Sequence, residues 1–526
     1  MLNWTLPWGV TREPVLGRNV VATSQPLAAQ AGMRMLQQGG TAADATVAAA
    51  AALTVVEPTS NGLGSDAFAM WWQDGMLHGL NASGRAPAAL DVDRIVAKGV
   101  MPRLGWDAVT VPGAVSGWIE LWKAAGRLPL QTCLQPAIDY ARDGFPVSPQ
   151  TGRSWAGAVD RFRNFEHWMN TFAPDGRAPT IGAVCRLPGH ARTLEAIAAT
   201  EGAEFYEGEI AQAIVRAASA QGGAMSMDDL SLHAPLRVDP LKVRYGDVDL
   251  HELPPNGQGL AALVAAGILH RLGGPDMDQD DPATLHLQIE AMKLGFKDAH
   301  DHVACPDRLN IDPLSLLDAE RLDGLAEVID PCTAQALCAP VGQWSSTVYL
   351  ACADAEGMAV SFIQSNYEGF GSGVVIPDWG IAMQNRGSGF VLEPGHPNNV
   401  QGGARPYHTI IPGFTTQDNA VHMAFGVMGG PMQPQGHLQV LGRCVAGWNP
   451  QAALDAPRWR VDGGMRVCVE PQLPMATVDA LIAMGHEVTC ADERSVAFGG
   501  GQVVLRQDET WIGASDCRRD GQALAF

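Results

Sequence analysis

Two apolar runs, Val348–Ala353 and Met358–Ile363, flank the turn signal Asp354-Ala355-Glu356-Gly357. Strand-length runs on either side of a glycine-bearing turn predict a β-hairpin. Helical spacing recurs before the hairpin, at Pro26–Gln38, Thr41–Val56, Gly113–Ala125, Leu130–Asp143, Ala211–Gln221, Gly259–Leu272 and His286–His302. It returns after it, at about Gln435–Val445 and Thr477–Met484. Helices on both sides of β material point to a layered α/β fold. Thr41 is the expected N-cap of a helix that is Ala-rich nearly all round, which suits burial at close packing distance. Other strands are expected at Asp66–Trp72, Gly246–Leu253, Gly373–Val375, Gly380–Gln384 and His422–Gly426, and the Pro-rich segment 303–345 reads as irregular.

Composition limits the possible partners. The chain has 526 residues, 46% hydrophobic and 17% charged, enough for a large core. With 35 Lys+Arg against 56 Asp+Glu and a net charge of -21, a nucleic-acid backbone or an anionic membrane is a poor partner. A small anionic substrate remains compatible, because a few local Arg or His residues can hold one carboxylate. The start, Met1-Leu2-Asn3-Trp4-Thr5-Leu6-Pro7-Trp8, lacks the regions of a signal peptide, and the scattered cysteines form no C-x-x-C pair. The expectation is a cytoplasmic protein with reduced cysteines and no cofactor. No metal cluster is evident: His286, His300 and His302, near Asp298 and Asp301, read as a helix surface. The loop Asn256-Gly257-Gln258-Gly259 lacks the lysine of a phosphate-binding loop.

Thr347 stands at the outer end of the first hairpin strand. With a two-residue loop Thr347 faces Gln364 and Ser346 faces Ser365, so that Ser365 lies diagonally beside Thr347. A threonine there can become a new N-terminus, and a threonine with a free α-amino group carries its own general base.

Ordered short motifs run along the chain: Gly39-Gly40-Thr41-Ala42-Ala43-Asp44-Ala45, Val56-Glu57-Pro58-Thr59-Ser60-Asn61-Gly62-Leu63-Gly64, Val111-Pro112-Gly113-Ala114, Phe205-Tyr206-Glu207-Gly208, Leu253-Pro254-Pro255, Glu290-Ala291-Met292-Lys293 and Arg405-Pro406. Together with Thr347, Asp354 and Gly357, they resemble the γ-glutamyltransferase family of N-terminal-nucleophile hydrolases over nearly the whole length. The resemblance implies a four-layer αββα sandwich. It also implies a precursor cleaved between Ser346 and Thr347 into a large subunit, 1–346, and a small subunit, 347–526, that stay together as a heterodimer. Thr347 then matches the nucleophile, Ser365 the hydroxyl that positions it, and Gly429-Gly430 the paired glycines of the oxyanion hole.

Elsewhere the chain departs from the family. Ser83 stands where an arginine grips the glutamate carboxylate, with Arg85 two residues on. The run Asn385-Arg386-Gly387-Ser388-Gly389-Phe390 lacks the acids that hold an α-ammonium. Tyr367 replaces an Asn, and His408-Thr409 replace paired serines. Arg405 reads as structural. These changes remove the ammonium grip and offer Arg386, His408, Thr409 and Tyr367 as donors. The expected substrate is a small anionic amide without an α-amino group, and the resemblance, taken with these departures, implies oxamate. A γ-glutamyl hydrolase or transferase, an acylase of larger amides, and an unprocessed binding protein stay open as alternatives.

Overall fold

The computed structural model describes residues 12–336, 346–493 and 495–526. The N-terminal octapeptide, Cys338, Pro340 and the Trp344-Ser345 start of the hairpin run lie outside them. Two seven-stranded sheets form the centre. In chain order their strands are β1 (Val15–Gly17), β2 (Val20–Thr23), β3 (Asp66–Gln73), β4 (Met76–Ala82), β5 (Leu236–Val238), β6 (Leu241–Tyr245), β7 (Val248–Glu252), β8 (Val348–Ala353), β9 (Ala359–Ser365), β10 (Gly413–Gln417), β11 (Ala420–Met428), β12 (Gly500–Gln507), β13 (Thr510–Ser515) and β14 (Gln522–Ala525). One sheet runs β14-β2-β8-β9-β3-β4-β5 and the other β1-β13-β12-β11-β10-β7-β6, with antiparallel neighbours throughout.

The hairpin strands are buried on both faces, and the period-2 alternation of a strand divides their side chains between two cores. Val348, Leu350 and Cys352 meet the helices α1 (Pro26–Gln37), α2 (Ala42–Val56), α3 (Ala114–Ala125) and α4 (Leu130–Asp143). Tyr349, Ala351 and Ala353 point the other way, into an apolar layer shared with Ala424, Met428 and Val504 of the second sheet. Beyond that sheet, α5 (Gly259–Arg271), α6 (Pro282–His302) and α7 (Met432–Val445) build the outer core with Met423, Phe425 and Val427. The molecule is an αββα sandwich. All of α2 is buried, and Thr41 caps it in a reciprocal box with Asp44.

Several elements differ from the sequence reading. The hairpin register is shifted by one: Val348 pairs with Gln364, which sets Thr347 opposite Ser365 itself. The cause is a longer turn. Asp354 N–H donates to Met358 O at 3.0 Å and Gly357 N–H returns to Asp354 O at 3.1 Å. Gly357 takes φ +96°, which favours glycine. The second strand accordingly starts at Ala359. Helices also form at Pro149–Phe162, Pro188–Thr200 and Ala319–Val328, the last inside the segment expected to be irregular.

Candidate active site

Thr347 is fully buried. Its Oγ1 lies 3.0 Å from Ser365 Oγ. Ser365 Oγ donates to Ser346 O at 2.9 Å and accepts Tyr367 N–H at 2.8 Å. A hydroxyl has one proton. Since Ser365 gives its own to the Ser346 carbonyl, the Thr347 hydroxyl is the donor in the Thr347–Ser365 contact. One serine oxygen therefore touches both the hydroxyl and the carbonyl of the Ser346-Thr347 junction.

A chain of contacts leads from Ser365 to the other expected residues. Tyr367 holds φ +74°, a strained conformation for an aromatic residue, and its ring lies 4.2 Å from the Arg386 guanidinium carbon. Arg386 sits in a 3-10 turn, Arg386–Gly389, is 1% exposed and donates from Nη1 to Thr409 Oγ1 at 2.9 Å. Its Nε and Nη2 are buried and, among the described residues, have no acceptor. Those two N–H groups share the edge of the guanidinium that grips a carboxylate in a bidentate manner. Burial pulls Arg386 down to about 10, against the pull of Tyr367, Asp66, Glu368 and Tyr407, so it keeps its charge at neutral pH. Gln258 Nε2 ties Thr409 O (2.6 Å) to Gly430 O (2.9 Å). Gly429 and Gly430, at φ +130° and +62°, follow β11 directly, and among the described residues their N–H groups donate to no backbone carbonyl.

His408 faces Asp66. Its Nδ1 accepts Ile410 N–H at 3.3 Å, so Nε2 carries the proton and donates to Asp66 Oδ2 at 3.1 Å. Burial, followed by Arg386, holds His408 well below its usual range. Asp66, cross-strand partner of Ser365, also accepts Gly84 N–H (3.2 Å) and Gly113 N–H (3.1 Å). Burial pushes its carboxyl up to about 7, opposed by Arg386, by those two N–H groups and by Arg405.

Other expected residues lie apart. Arg85 pairs with Asp307 at 2.7 Å and donates to Gly403 O at 2.8 Å, so its charge is spent away from Thr347. Arg405 bonds the carbonyls of Ser83 (3.0 Å) and Ala234 (3.2 Å). His286 is buried rather than on a helix surface. It meets His486 at 2.8 Å and Asp330 O at 2.8 Å. The possible ligand atoms of His286, Glu290 and His486 lie within 4.8 Å of one another, but the Lys293 ammonium sits 2.7 Å from Glu290 Oε1 and supplies the cation there. Asp298 pairs with Arg321 and Asp301 with Lys297.

Sequence reasoning missed Asp66 and Gln258. A carboxylate opening the apolar strand Asp66-Ala67-Phe68-Ala69-Met70 was a readable signal; Gln258 carried none. No helix among the described residues is long and apolar enough to cross a membrane.

Comparison with known proteins matches residues 28–526 to the model of the γ-glutamyltranspeptidase family. The chain belongs to that family. This γ-glutamyltranspeptidase homologue is 34% identical to the oxamate amidohydrolase proenzyme of Klebsiella pneumoniae over 95% of its own length and 97% of that protein's. It is also 34% identical to the glutathione hydrolase-like YwrD proenzyme of Bacillus subtilis, over 97% and 98%. Among solved structures, the cephalosporin acylase of Bacillus halodurans superposes with a TM-score of 0.95 at 46% identity, covering 100% of this chain and 99% of that one. The homologue is an N-terminal-nucleophile hydrolase acting on amide C–N bonds.

Proposed function

We propose that the precursor cleaves itself between Ser346 and Thr347 and that the mature enzyme hydrolyses a small amide with a carboxylate beside the reacting carbonyl. Oxamate, yielding oxalate and ammonia, is the substrate that fits best. The observation that carries the reading is the Nε–Nη2 edge of Arg386, buried and without an acceptor among the described residues. A buried guanidinium left unpaired is costly, and a substrate carboxylate offsets that cost. The resemblance to an oxamate amidohydrolase proenzyme agrees.

In the precursor, the Thr347 hydroxyl attacks the Ser346 carbonyl carbon while Ser365 donates to that carbonyl's oxygen. The peptide nitrogen leaves as the Thr347 amine, and water hydrolyses the resulting ester. Residues 1–346 and 347–526 remain as a heterodimer. In turnover, the freed α-amine, with an intrinsic pKa of about 7.7–8.0, takes the Thr347 hydroxyl proton as Oγ1 attacks the amide. The oxyanion meets the N–H groups of Gly429 and Gly430. The amine passes its proton to the departing nitrogen, ammonia leaves, and water activated by the same amine releases the acid. Arg386 grips the carboxylate, Tyr367 supports Arg386 from below and narrows the pocket, and His408 and Thr409 line it.

Ammonia release from a panel of small amides tests the reading. Turnover of oxamate is expected, and turnover of a γ-glutamyl anilide without oxamate overturns it. A second reading, an acylase of larger amides, draws on the likeness to the cephalosporin acylase structure; release of a bulky acyl group at rates above those for oxamate favours it.

A further inference from the structure

Beside the Gly429-Gly430 turn lies a donor that neither the fold nor the chemistry above employs. Gln433 is fully buried in the first turn of α7. Its backbone N–H donates to Gly430 O at 3.1 Å, and its side-chain Oε1 accepts Ile411 N–H at 2.9 Å. A backbone N–H can only donate, so the carboxamide oxygen must face Ile411 and the NH2 group is fixed on the other side. Among the described residues that NH2 has no acceptor. Leaving a buried donor unpaired is destabilising, which favours an acceptor that arrives from outside the protein.

The neighbours of Gln433 say where such an acceptor belongs. Gln258 joins Gly430 O to Thr409 O, and Thr409 in turn holds Arg386. Gln433 is thus tied both to the turn proposed to receive the oxyanion and to the segment ahead of β10 that supports the carboxylate grip. Asn366 provides a contrast. Its Oδ1 is fixed by Ser65 Oγ at 2.9 Å and its NH2 is also unpaired, but that nitrogen lies against the glycine turn at Gly62, where a Cβ would stand 3.0 Å from it. The Asn366 amide is packed into a turn of the protein, whereas Gln433 is bonded to Gly430 through its backbone and to Ile411 through its side chain.

We propose that Gln433 is a third donor to the scissile carbonyl, its side-chain N–H bonding the substrate's amide oxygen together with Gly429 and Gly430. The contact strengthens as that oxygen becomes anionic; no proton leaves Gln433, and the charge is neutralised when the carbonyl re-forms. The inference rests on the reading of Thr347 as nucleophile. It also accounts for the donors left over in the neighbourhood, Arg386 Nε and Nη2 and Gln433 Nε2, all of which seek oxygen. They suit a ligand rich in acceptor oxygens and poor in N–H groups, as a short dicarbonyl amide acid is.

Two substitutions separate this role from a structural one. Gln433→Glu keeps an oxygen for Ile411 N–H and replaces the NH2 with a second oxygen; Gln433→Met removes both. Processing on a denaturing gel, the thermal midpoint, kcat and KM for oxamate are read for each. The expected result is two bands, and kcat about 100-fold or more below wild type in both variants, with Glu no better than Met. Wild-type kcat in Gln433→Glu beside a loss in Gln433→Met means that only the Ile411 contact matters, and overturns the proposal. So does wild-type kcat in both. If neither matures, Gln433→Asn, which withdraws the same amide by one methylene, gives the same reading: a fall in kcat is expected, and wild-type kcat refutes the contact. Failure of the underlying reading looks different, because wild type then stays one band and releases no ammonia.

Discussion

Two buried polar clusters in this molecule are built on opposite plans. In one, on α6, Glu290 Oε1 meets Lys293 at 2.7 Å and Glu290 Oε2 accepts Gln335 N–H at 3.2 Å. Lys293 also donates to Gln335 O at 2.8 Å, and His286 uses both ring nitrogens. Among the described residues His486 Nδ1 and Gln335 Oε1 are left over there. In the cluster reached from Thr347, Arg386 has two N–H groups and Gln433 an NH2 without an acceptor among the described residues, while the Asn366 NH2 is packed against Gly62. Both clusters contain charges, histidines and full burial, so none of these marks function. The difference lies in what stays open: in the first cluster the charged groups pair with one another, whereas in the second the spare groups are the donors proposed to bind substrate.

The largest effect expected is at Thr347. Thr347→Ala leaves a single band near 55.7 kDa and removes at least about 1,000-fold of the activity; a cleaved or active variant breaks the assignment. Next is Arg386→Ala, which lowers kcat/KM for oxamate by about 100–1,000-fold, the scale for removing one partner of a buried charge pair, while processing continues. Unchanged kinetics takes Arg386 out of the site. The mirror experiment is Lys293→Met, which strands the Glu290 carboxylate. It costs about 3–5 kcal/mol of stability, seen in denaturant melts, and leaves kcat/KM of the folded protein alone. A loss of kcat/KM at constant stability would erase the distinction between the two clusters.

Smaller effects sharpen it. Tyr367→Asn removes the ring under Arg386, worth about 0.5–2 kcal/mol, and raises KM by roughly 3–30-fold; the melting temperature does not fall, since Asn tolerates φ +74° better. Finally, each cluster holds a neutral histidine. Burial brings His486 down to about 3, with Lys293 and His286 adding to it, and His408 well below its usual range. Unfolding releases these rings to the ordinary value near 6.5, so the unfolded chain binds more protons below that pH and stability falls as pH drops from about 6.5. His486→Gln and His408→Gln should each flatten that slope by about 1.4 kcal/mol per pH unit. An unchanged slope in urea melts from pH 6 to 5 means the ring is already charged in the native protein.

Local signals made much of the fold readable. The Thr41 cap, the hairpin and the helices named above follow from capping and periodicity. The register did not, because Asp354 takes Glu356 and Met358 N–H on one oxygen (3.0 and 3.1 Å) and Ala42 N–H on the other at 2.8 Å; a contact from 312 residues away is part of what shapes that turn. The helix at 319–328 was hidden by its setting, where Pro306 and Pro313 start short 3-10 turns rather than break structure. Thr347 and Ser365 could be named from a motif. Asp66 and Gln258 could not be placed, because what they do is set by partners such as His408 and Thr409, which no local spacing reveals.

The strand order has one more consequence. Across the first sheet the strands come, in turn, from after, before, after, after, before, before and before the Ser346-Thr347 bond; the second sheet is likewise mixed. Cutting that bond therefore yields two interleaved pieces, neither of which retains a complete sheet. Parting them would expose unpaired strand edges in both sheets. Diluting the mature protein should leave it whole, and mixing fragments made separately should not reconstitute it, so that every active molecule descends from one chain that folded before it was cut.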